Sequence, residues 1–323
     1  ILLKRISELR EENQIYKDYL LNNCTIVQIV TDKEQEAFQF FDSQNTRGKE
    51  LAPHDLLKSY HLREMNNEDE TVKIEIINQW EGLNQKNLDG LFKNYLYPLT
   101  QWFKEEDGLG YSSSKINVFK GIKNSNFYNF SIYHKASNLF IEQFNVNESY
   151  ELLPSKPWNQ FQLTQPLIGG KRFFFFTLHY GDLLKKIQNK IKIFHNNPPE
   201  QIPNNGPGDI YIKQLYECSL LFFADRFGYE SLTESVMQQL YTWSYSLRLV
   251  MHAVYIQSIN KYAIGKHDRI NYGKNIFRLI SEMAVPEEIK LILFEKPALR
   301  DDKEIYENIY KLILNWNQWK NNE

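Results

Sequence analysis

Five residues of a candidate ligand-binding site fall close together in one polar segment of the chain: Asn45, Arg47, Gly48, Asp55 and Lys58. The first three form a predicted turn, and the last two lie in the first turns of the predicted helix that follows. An arginine beside free backbone N–H groups and a helix N-terminus can hold a phosphate or a carboxylate. We therefore expect Asn45, Arg47 and Lys58 to face one solvent-accessible pocket that suits an anion.

The same residues also suit a purely structural role. Arg47 could pair with Asp55 or hydrogen-bond a backbone carbonyl, and so fix the turn. Asp55 and Lys58 are three residues apart on one helix face and could form an ion pair with each other. The sequence leaves both interpretations open. They differ in whether a cavity lies beside Arg47.

A second candidate site is a basic and aromatic stretch farther along the chain. Its cations are Lys261, Lys266, Arg269, Lys274 and Arg278, and His267, Tyr262 and Tyr272 lie among them. Such a stretch can bind nucleic acid, because cations contact phosphates and aromatic rings stack on bases. Solvated helix ends and a loop are the more common explanation for such a stretch.

Metal and cysteine chemistry receive little support from the sequence. The seven histidines are scattered, and none forms a His-x-x-x-His pair or a Cys/His cluster, so we expect no metal site. His54 and His61 would share one helix face, and surface positions are the default for both. Two cysteines, Cys24 and Cys218, are too few for a disulfide scaffold and fit a reducing, cytoplasmic setting.

The elements that would position the first motif are a strand, a turn and two helices. Residues 26–30 are apolar almost throughout, which is typical of a buried strand. Thr31 and Asp32 supply an N-cap for a Phe-rich helix that ends near Ser43. Pro53 suits the first turn of the second helix, where its missing N–H has no cost.

This segment is similar to a known family. Asn45-x-Arg47-Gly48, Leu51 and Asp55-Leu56-Leu57-Lys58, preceded by a strand and a Phe-rich helix, resemble the N-terminal domain of GmrSD-type restriction endonucleases. The resemblance implies a ParB/sulfiredoxin-like fold and a role in prokaryotic anti-phage systems that attack modified DNA. It also implies binding or hydrolysis of a nucleoside triphosphate, with Mg, near these five motif residues.

The chain departs from that family in ways that matter for activity. The family's Asp-Gly-Gln-Gln-Arg catalytic signature normally lies upstream of the matching segment, and this chain has no such run. The family's nuclease half carries a His-x-x-Pro motif, and we expect that motif to be absent here. We therefore expect a fragment whose partners are its missing N-terminal part, a nuclease domain or subunit, and DNA.

Composition bounds the class of protein. The chain has 323 residues and a formal net charge of −2, so nothing global indicates a nucleic-acid binder, although a local patch would suffice. Aromatic residues reach 15%, which favours a thick core. No apolar run approaches the roughly 20 residues of a membrane span, so we expect no membrane partner.

Apolar spacing predicts mostly helices. The predicted helices span 1–21, 70–81, 85–104, 115–145, 171–195, 210–227, 232–263, 270–283, 286–296 and 302–320. We expect Pro98 to kink its helix, Asp209 to cap the helix that follows it, and Arg248 to be a paired core or interface residue. Residues 146–169 and 195–209 should be loops.

The predicted fold class is therefore mainly α, with a small α/β remnant at the N-terminus that resembles part of a ParB-like domain. The remnant spans 1–66 and a helical domain spans 67–323, with a subdivision near 146–170. Two functions remain open. The chain is part of a nucleotide-dependent specificity subunit of a modification-dependent restriction or phage-defence system, or it is a non-catalytic helical interaction or DNA-binding module.

Overall fold

A computed structural model describes residues 13–25, 30, 51–66, 68–146, 158, 161–196, 198–299 and 306–319. The chain divides into two compact units, 1–49 and 50–323. In the first unit the described helix is α1 (Asn13–Asn23), and its residues Tyr16, Tyr19 and Leu20 are exposed. The predicted strand 26–30, except Val30, and the Phe-rich helix after it lie outside the described residues.

The second unit is mainly α-helical over its described residues. Its helices are α2 (Pro53–Arg63), α3 (Glu70–Glu81), α4 (Gln85–Leu91), α5 (Tyr97–Trp102), α6 (Asn117–Lys120), α7 (Asn129–Val146), α8 (Lys171–Phe194), α9 (Pro198–Gln201), α10 (Asp209–Phe227), α11 (Glu234–Val250), α12 (Ile256–Ala263), α13 (Ile276–Glu282) and α14 (Glu307–Trp316). A π-helical turn, Phe92–Leu96, joins α4 to α5, and 3₁₀ turns occur at Ser113–Lys115, Tyr229–Ser231 and Pro286–Leu291. None of the described helices is long and apolar enough to cross a membrane.

Helix α10 is the centre of the core. Every residue over 215–225 is buried, so this helix is enclosed on all sides by other elements. Helices α8, α11, α12 and α13 pack around it. Apolar periodicity had predicted α3, α8 and α10 to within a residue of their ends, because each carries a long uninterrupted apolar pattern.

Helix α2 packs within this second unit, although the predicted boundary assigned it to the N-terminal remnant. Leu57 and His61 of α2 are fully buried, and α2 contacts α4, α6 and α8. Part of the motif segment therefore belongs to the helical core. The unit begins at Glu50 rather than after residue 66.

The start of α10 differs from the prediction that Asp209 caps it. The N-cap is Gly208, with φ of 90°, and Asp209 is the first helical residue. A Cβ at Gly208 would lie 2.0 Å from the Val254 carbonyl oxygen, so this approach of two backbones requires glycine. The side chain of Asp209 accepts a hydrogen bond from the Gly206 N–H at 2.6 Å.

The predicted helix over 232–263 was wrong as a single helix, because residues 251–255 interrupt it between α11 and α12. Met251 is extended, with φ −107° and ψ 136°. Its carbonyl accepts a hydrogen bond from Arg248, and the Val254 N–H donates to the Pro207 carbonyl. A local side-chain contact and one backbone contact distant in sequence therefore replace the helical bonds that apolar spacing alone would predict.

A π-helical turn precedes the helix that contains Pro98. Proline has no N–H to donate to the Asn94 carbonyl four residues earlier. The π-helical turn lies immediately before it, with the Tyr97 N–H bonded to the Phe92 carbonyl. The Asn94 carbonyl instead accepts from the Gln214 amide at 2.6 Å and the Cys218 thiol at 3.5 Å, both on α10. This turn is thereby fastened to the central helix.

The remaining predicted helices are shorter in the structure. The span 115–145 is divided by the non-helical residues 121–128, where Ile122 forms a parallel bridge with Ile168. The span 286–296 contains a 3₁₀ turn that ends at Leu291 and is followed by non-helical chain. The predicted loop 195–209 contains the short helix α9.

Candidate functional site

Of the five motif residues, the structure describes Asp55 and Lys58. Both lie on α2, which begins at Pro53 as predicted. The Lys58 ammonium is 2.6 Å from a carboxylate oxygen of Glu81 on α3, so the ion pair it forms is not with Asp55. Asn45, Arg47 and Gly48 lie outside the described residues. Their convergence with Lys58 on one pocket stays a prediction.

The two histidines of α2 are buried, so the surface positions expected for them were wrong. His61 Nε2 lies 2.9 Å from the Phe119 carbonyl, and its Nδ1 accepts from the Gly170 N–H at 3.2 Å. The ring stacks on Phe173 at 3.9 Å. Both nitrogens are satisfied only by a neutral imidazole, and burial lowers the pKa of His61 to about 3. His61 therefore anchors α2 in the core.

His195 corrects the expectation that a His-x-x-Pro motif is absent, because His195-Asn196-Asn197-Pro198 has that spacing. The imidazole is fully buried and its Nδ1 lies 2.7 Å from the Gln201 amide oxygen. Burial lowers the pKa of His195 to about 4. A nuclease histidine must reach its substrate, so the geometry assigns His195 to the core.

The basic and aromatic stretch is only partly assembled as a surface. Lys261, Lys266 and Arg269 are exposed, and so is Tyr272, but Tyr262 is buried. Lys274 donates to the Leu293 carbonyl. Arg278 pairs with the carboxylates of Glu105 and Glu282 at 2.6 and 3.0 Å. Arg269 also donates to the Val250 carbonyl at 3.5 Å, so three of the five predicted cations are engaged within the chain.

A long groove follows one side of α8. It consists of two adjoining cavities of about 800 and 500 Å³, which share the lining residue Gln188; we call them together the α8 groove. Helix α8 lines it with Thr177, Leu178, Gly181, Asp182, Leu184, Lys185, Gln188, Ile191 and Lys192. Residues 82–84, α4 and Tyr95 line the rest of the larger cavity, and residues 202–205 and α10 line the rest of the smaller one. Volumes of this size are typical of ligand sites.

A buried acid and a phenol meet where the two cavities adjoin. Tyr95 of the π-helical turn donates a hydrogen bond of 2.5 Å to Glu217 Oε2 on α10. Burial, then the charge of Glu217, raises the pKa of Tyr95, so the phenol keeps its proton. Glu217 is 3% exposed. Turns of π-helix often occur at functional sites, and this one places Tyr95 in the groove.

Lysines dominate the charge around the groove. Lys86, Lys185, Lys192 and Lys213 line it, against the carboxylates of Asp182 and Glu217. Lys86, Lys185 and Lys192 are exposed, and Lys213 is half-buried. An excess of positive charge along a concave surface attracts anionic ligands. The α8 groove is therefore the candidate binding site of this unit.

The sequence patterns did not indicate Tyr95, Gln188 or Glu217 as site residues. They come from three elements, and Tyr95 and Glu217 are 122 positions apart. One local signal was available: Glu217 interrupts the apolar run around it on a helix that should be buried on all sides. A carboxylate in such a place requires a partner or a function.

Gly181 gives a direct test of the packing beside the groove. A Cβ there would meet Leu91 Cδ2 at 3.8 Å, an ordinary contact. Because alanine favours a helix more than glycine does, Gly181→Ala should stabilise the unit by about 0.5–1 kcal/mol. Chemical denaturation measures this. Gly208→Ala is the matched control and should destabilise, and a loss of stability in Gly181→Ala would contradict the open packing between α8 and Leu91.

The described side chains offer no group of three or more His, Cys, Asp or Glu residues that could hold a metal ion. Among the motif residues described, Asp55 alone has a carboxylate and Lys58 is already paired. The described part of the motif therefore does not by itself form a site for a nucleoside triphosphate with Mg.

The described part of the second unit is helical, and the α8 groove is its principal candidate binding site. The chain belongs to a family described as a family of unknown function (DUF7834), whose model matches residues 72–308. This match covers the elements that build the α8 groove. No curated protein and no solved structure gives a significant match.

Proposed function

We propose that this chain is part of the specificity subunit of a nucleotide-dependent, modification-dependent restriction or phage-defence system, and that the α8 groove binds nucleic acid in it. The observation that carries the proposal is the set of lysines around a groove of nucleotide dimensions. Single-stranded nucleic acid is held by such grooves, because cations follow its backbone. The GmrSD-type resemblance around Asn45 to Lys58 supports the same kind of system.

In this proposal the nucleotide-dependent step belongs to the N-terminal part of the protein. The resemblance implies a ParB-like α/β fold there and a site at Asn45, Arg47 and Gly48. Since Lys58 is paired with Glu81, no step of nucleoside triphosphate or Mg chemistry is assigned to residues 50–323. Strand cleavage belongs to a nuclease domain or subunit.

Charge reversal tests the groove. We expect the 323-residue chain to bind a fluorescent single-stranded oligonucleotide, measured by anisotropy across a salt series. Lys185→Glu with Lys192→Glu should weaken binding at least tenfold and reduce the salt slope by about 0.7 for each lost phosphate contact.

The control for this experiment is Lys261→Glu with Lys266→Glu, which changes the same charge in the second candidate site. We expect it to retain most of the affinity. If this control loses binding and the groove variant does not, the nucleic-acid site lies in the basic stretch instead. Absence of any oligonucleotide binding would rule out the proposal.

A non-catalytic interaction module is the second candidate function, and one observation favours it. Helix α7 and the residues just before it expose aromatic side chains, among them Phe127, Phe130, Tyr133 and Phe140. Large exposed apolar surfaces are typical of protein contacts. If interaction with the nuclease is the function, Tyr133→Asp with Phe140→Asp should abolish phage protection in cells that carry the intact system, and the groove variant should not.

A further inference from the structure

Glu217 has one carboxylate oxygen without a hydrogen-bond partner in a buried place. Oε2 accepts from Tyr95, whereas Oε1 is buried and accepts no hydrogen bond. The nearest cation, Lys213, stands 4.0 Å from Oε1, which is beyond hydrogen-bond distance. Glu217 also lines the smaller cavity of the α8 groove. A buried acceptor without a donor costs free energy unless a ligand supplies that donor.

From this geometry we infer that Glu217 is a base-reading residue, and that it accepts a hydrogen bond from the exocyclic amino group of a cytosine or adenine held in the α8 groove. The inference rests on the proposed binding of nucleic acid. A carboxylate is the common acceptor for the cytosine amino group. In this inference the lysines of the α8 groove bind the phosphates of the same ligand.

The direction of the hydrogen bond between Tyr95 and Glu217 determines which bases fit beside Glu217 in the α8 groove. Because Tyr95 donates to Oε2, the atom left for the ligand accepts hydrogen bonds and cannot donate one. Gln188, which lines both cavities, has an amide that can donate to the ring nitrogen beside the amino group. Thymine offers its N3–H between two carbonyl oxygens, which a carboxylate repels. Cytosine and adenine therefore fit this subsite and thymine does not.

Base preference of the unmodified chain is the first test. Homopolymers of deoxycytidine, deoxyadenosine and thymidine of equal length are compared by anisotropy at one salt concentration, since salt alone changes affinity. We expect oligodeoxycytidine and oligodeoxyadenosine to bind about tenfold more tightly than oligothymidine. A tenfold difference in affinity corresponds to about 1.4 kcal/mol, which is the free energy that one well-formed hydrogen bond contributes. Equal affinity for all three overturns the inference and leaves the proposed function intact. Absence of binding to any of them refutes the proposed function itself.

The variant Glu217→Gln tests whether Glu217 is the residue that causes the base preference. In this variant Tyr95 still donates to an oxygen, now that of the amide, so an NH₂ donor takes the place of Oε1. The preference for deoxycytidine and deoxyadenosine over thymidine should then disappear or reverse, because thymine presents carbonyl acceptors. Glu234→Gln, which removes the same charge from an exposed position on α11, should retain the original preference. An unchanged preference in folded Glu217→Gln contradicts the assignment.

Tyr95→Phe is the second variant, and it is decisive if Glu217→Gln fails to fold. It leaves the carboxylate in place and frees its second oxygen. Cytosine and adenine should therefore still be preferred in this variant. Equal binding of oligodeoxycytidine and oligothymidine by Tyr95→Phe would overturn the role of Glu217.

Discussion

Acidification from pH 7 to pH 4 is expected to remove most of the stability of the second unit. Burial lowers the pKa of His61 to about 3, and those of His179 and His195 to about 4. In the unfolded chain these three histidines titrate near pH 6.5, so below that pH the unfolded state binds protons that the folded state does not bind. The stability they contribute is complete above about pH 6.5 and falls as pH decreases toward 4. The pKa values of His134 and His267 shift in the same direction.

One buried carboxyl acts in the opposite direction. Burial raises the pKa of Asp225 to about 7, although the Leu163 N–H and the Tyr180 hydroxyl both donate to its carboxylate. Asp225 therefore takes up a proton in the folded state before it does so in the unfolded state, which favours folding as pH falls. Three histidines against one carboxyl leave a net of about two protons near pH 5, or about 2.7 kcal/mol per pH unit there.

Urea denaturation at pH 7, 6, 5 and 4, followed by tryptophan fluorescence, measures this dependence. His61→Gln keeps a donor for the Phe119 carbonyl but cannot titrate, so its stability should fall less steeply with pH by about 1.4 kcal/mol per unit. The unsubstituted chain, measured over the same pH series, gives the reference slope. A stability that stays constant down to pH 4 would contradict the neutral, buried state of these imidazoles.

Sequence periodicity predicted the helices whose ends depend on nearby residues. It failed where a segment distant in sequence forms the backbone hydrogen bonds that would otherwise continue the helix. Helix α8 was recognised because its apolar residues recur at helical spacing over its whole length. The break after Val250 could not be recognised from the sequence, because it depends on a hydrogen bond from the Val254 N–H to the Pro207 carbonyl. The missing N–H of Pro98 predicts a kink in its helix. The π-helical turn there depends on donors from Gln214 and Cys218.

The candidate site residues, like the helices, could be predicted only where neighbours in sequence determine them. Local patterns directed attention to Asn45, Arg47 and the cations after Lys261, because these residues are neighbours in sequence. The α8 groove is formed by segments that meet only in the folded chain, and its acid–phenol pair has no local signature. Arg248 is the instructive exception. A lone cation on an apolar helix face must be paired, and that expectation is confirmed.

Arg248→Met is expected to destabilise the second unit more than any of the other single substitutions proposed above. The guanidinium is 0% exposed and lies 2.7 Å from Asp209 Oδ1, 2.5 Å from the Tyr306 hydroxyl and 3.1 Å from the Met251 carbonyl. It thereby joins the start of α10, the end of α11 and the chain just before α14. Methionine fills a similar volume but leaves the Asp209 carboxylate buried without its cation. Breaking a buried pair from one side costs about 3–5 kcal/mol.

The double variant separates the charge from the packing. Adding Asp209→Asn to Arg248→Met removes the carboxylate that was left unpaired. The amide oxygen, in the place of Oδ2, can still accept from the Gly206 N–H, and the amide NH₂, in the place of Oδ1, can donate to the Tyr306 hydroxyl oxygen. The double variant should therefore be more stable than the sum of the two single losses predicts, by at least about 1 kcal/mol. Arg278→Met, at an exposed arginine that also pairs with two carboxylates, is the control and should lose far less. If denaturation gives Arg248→Met and Arg278→Met the same small loss, the buried pair does not hold these three elements together.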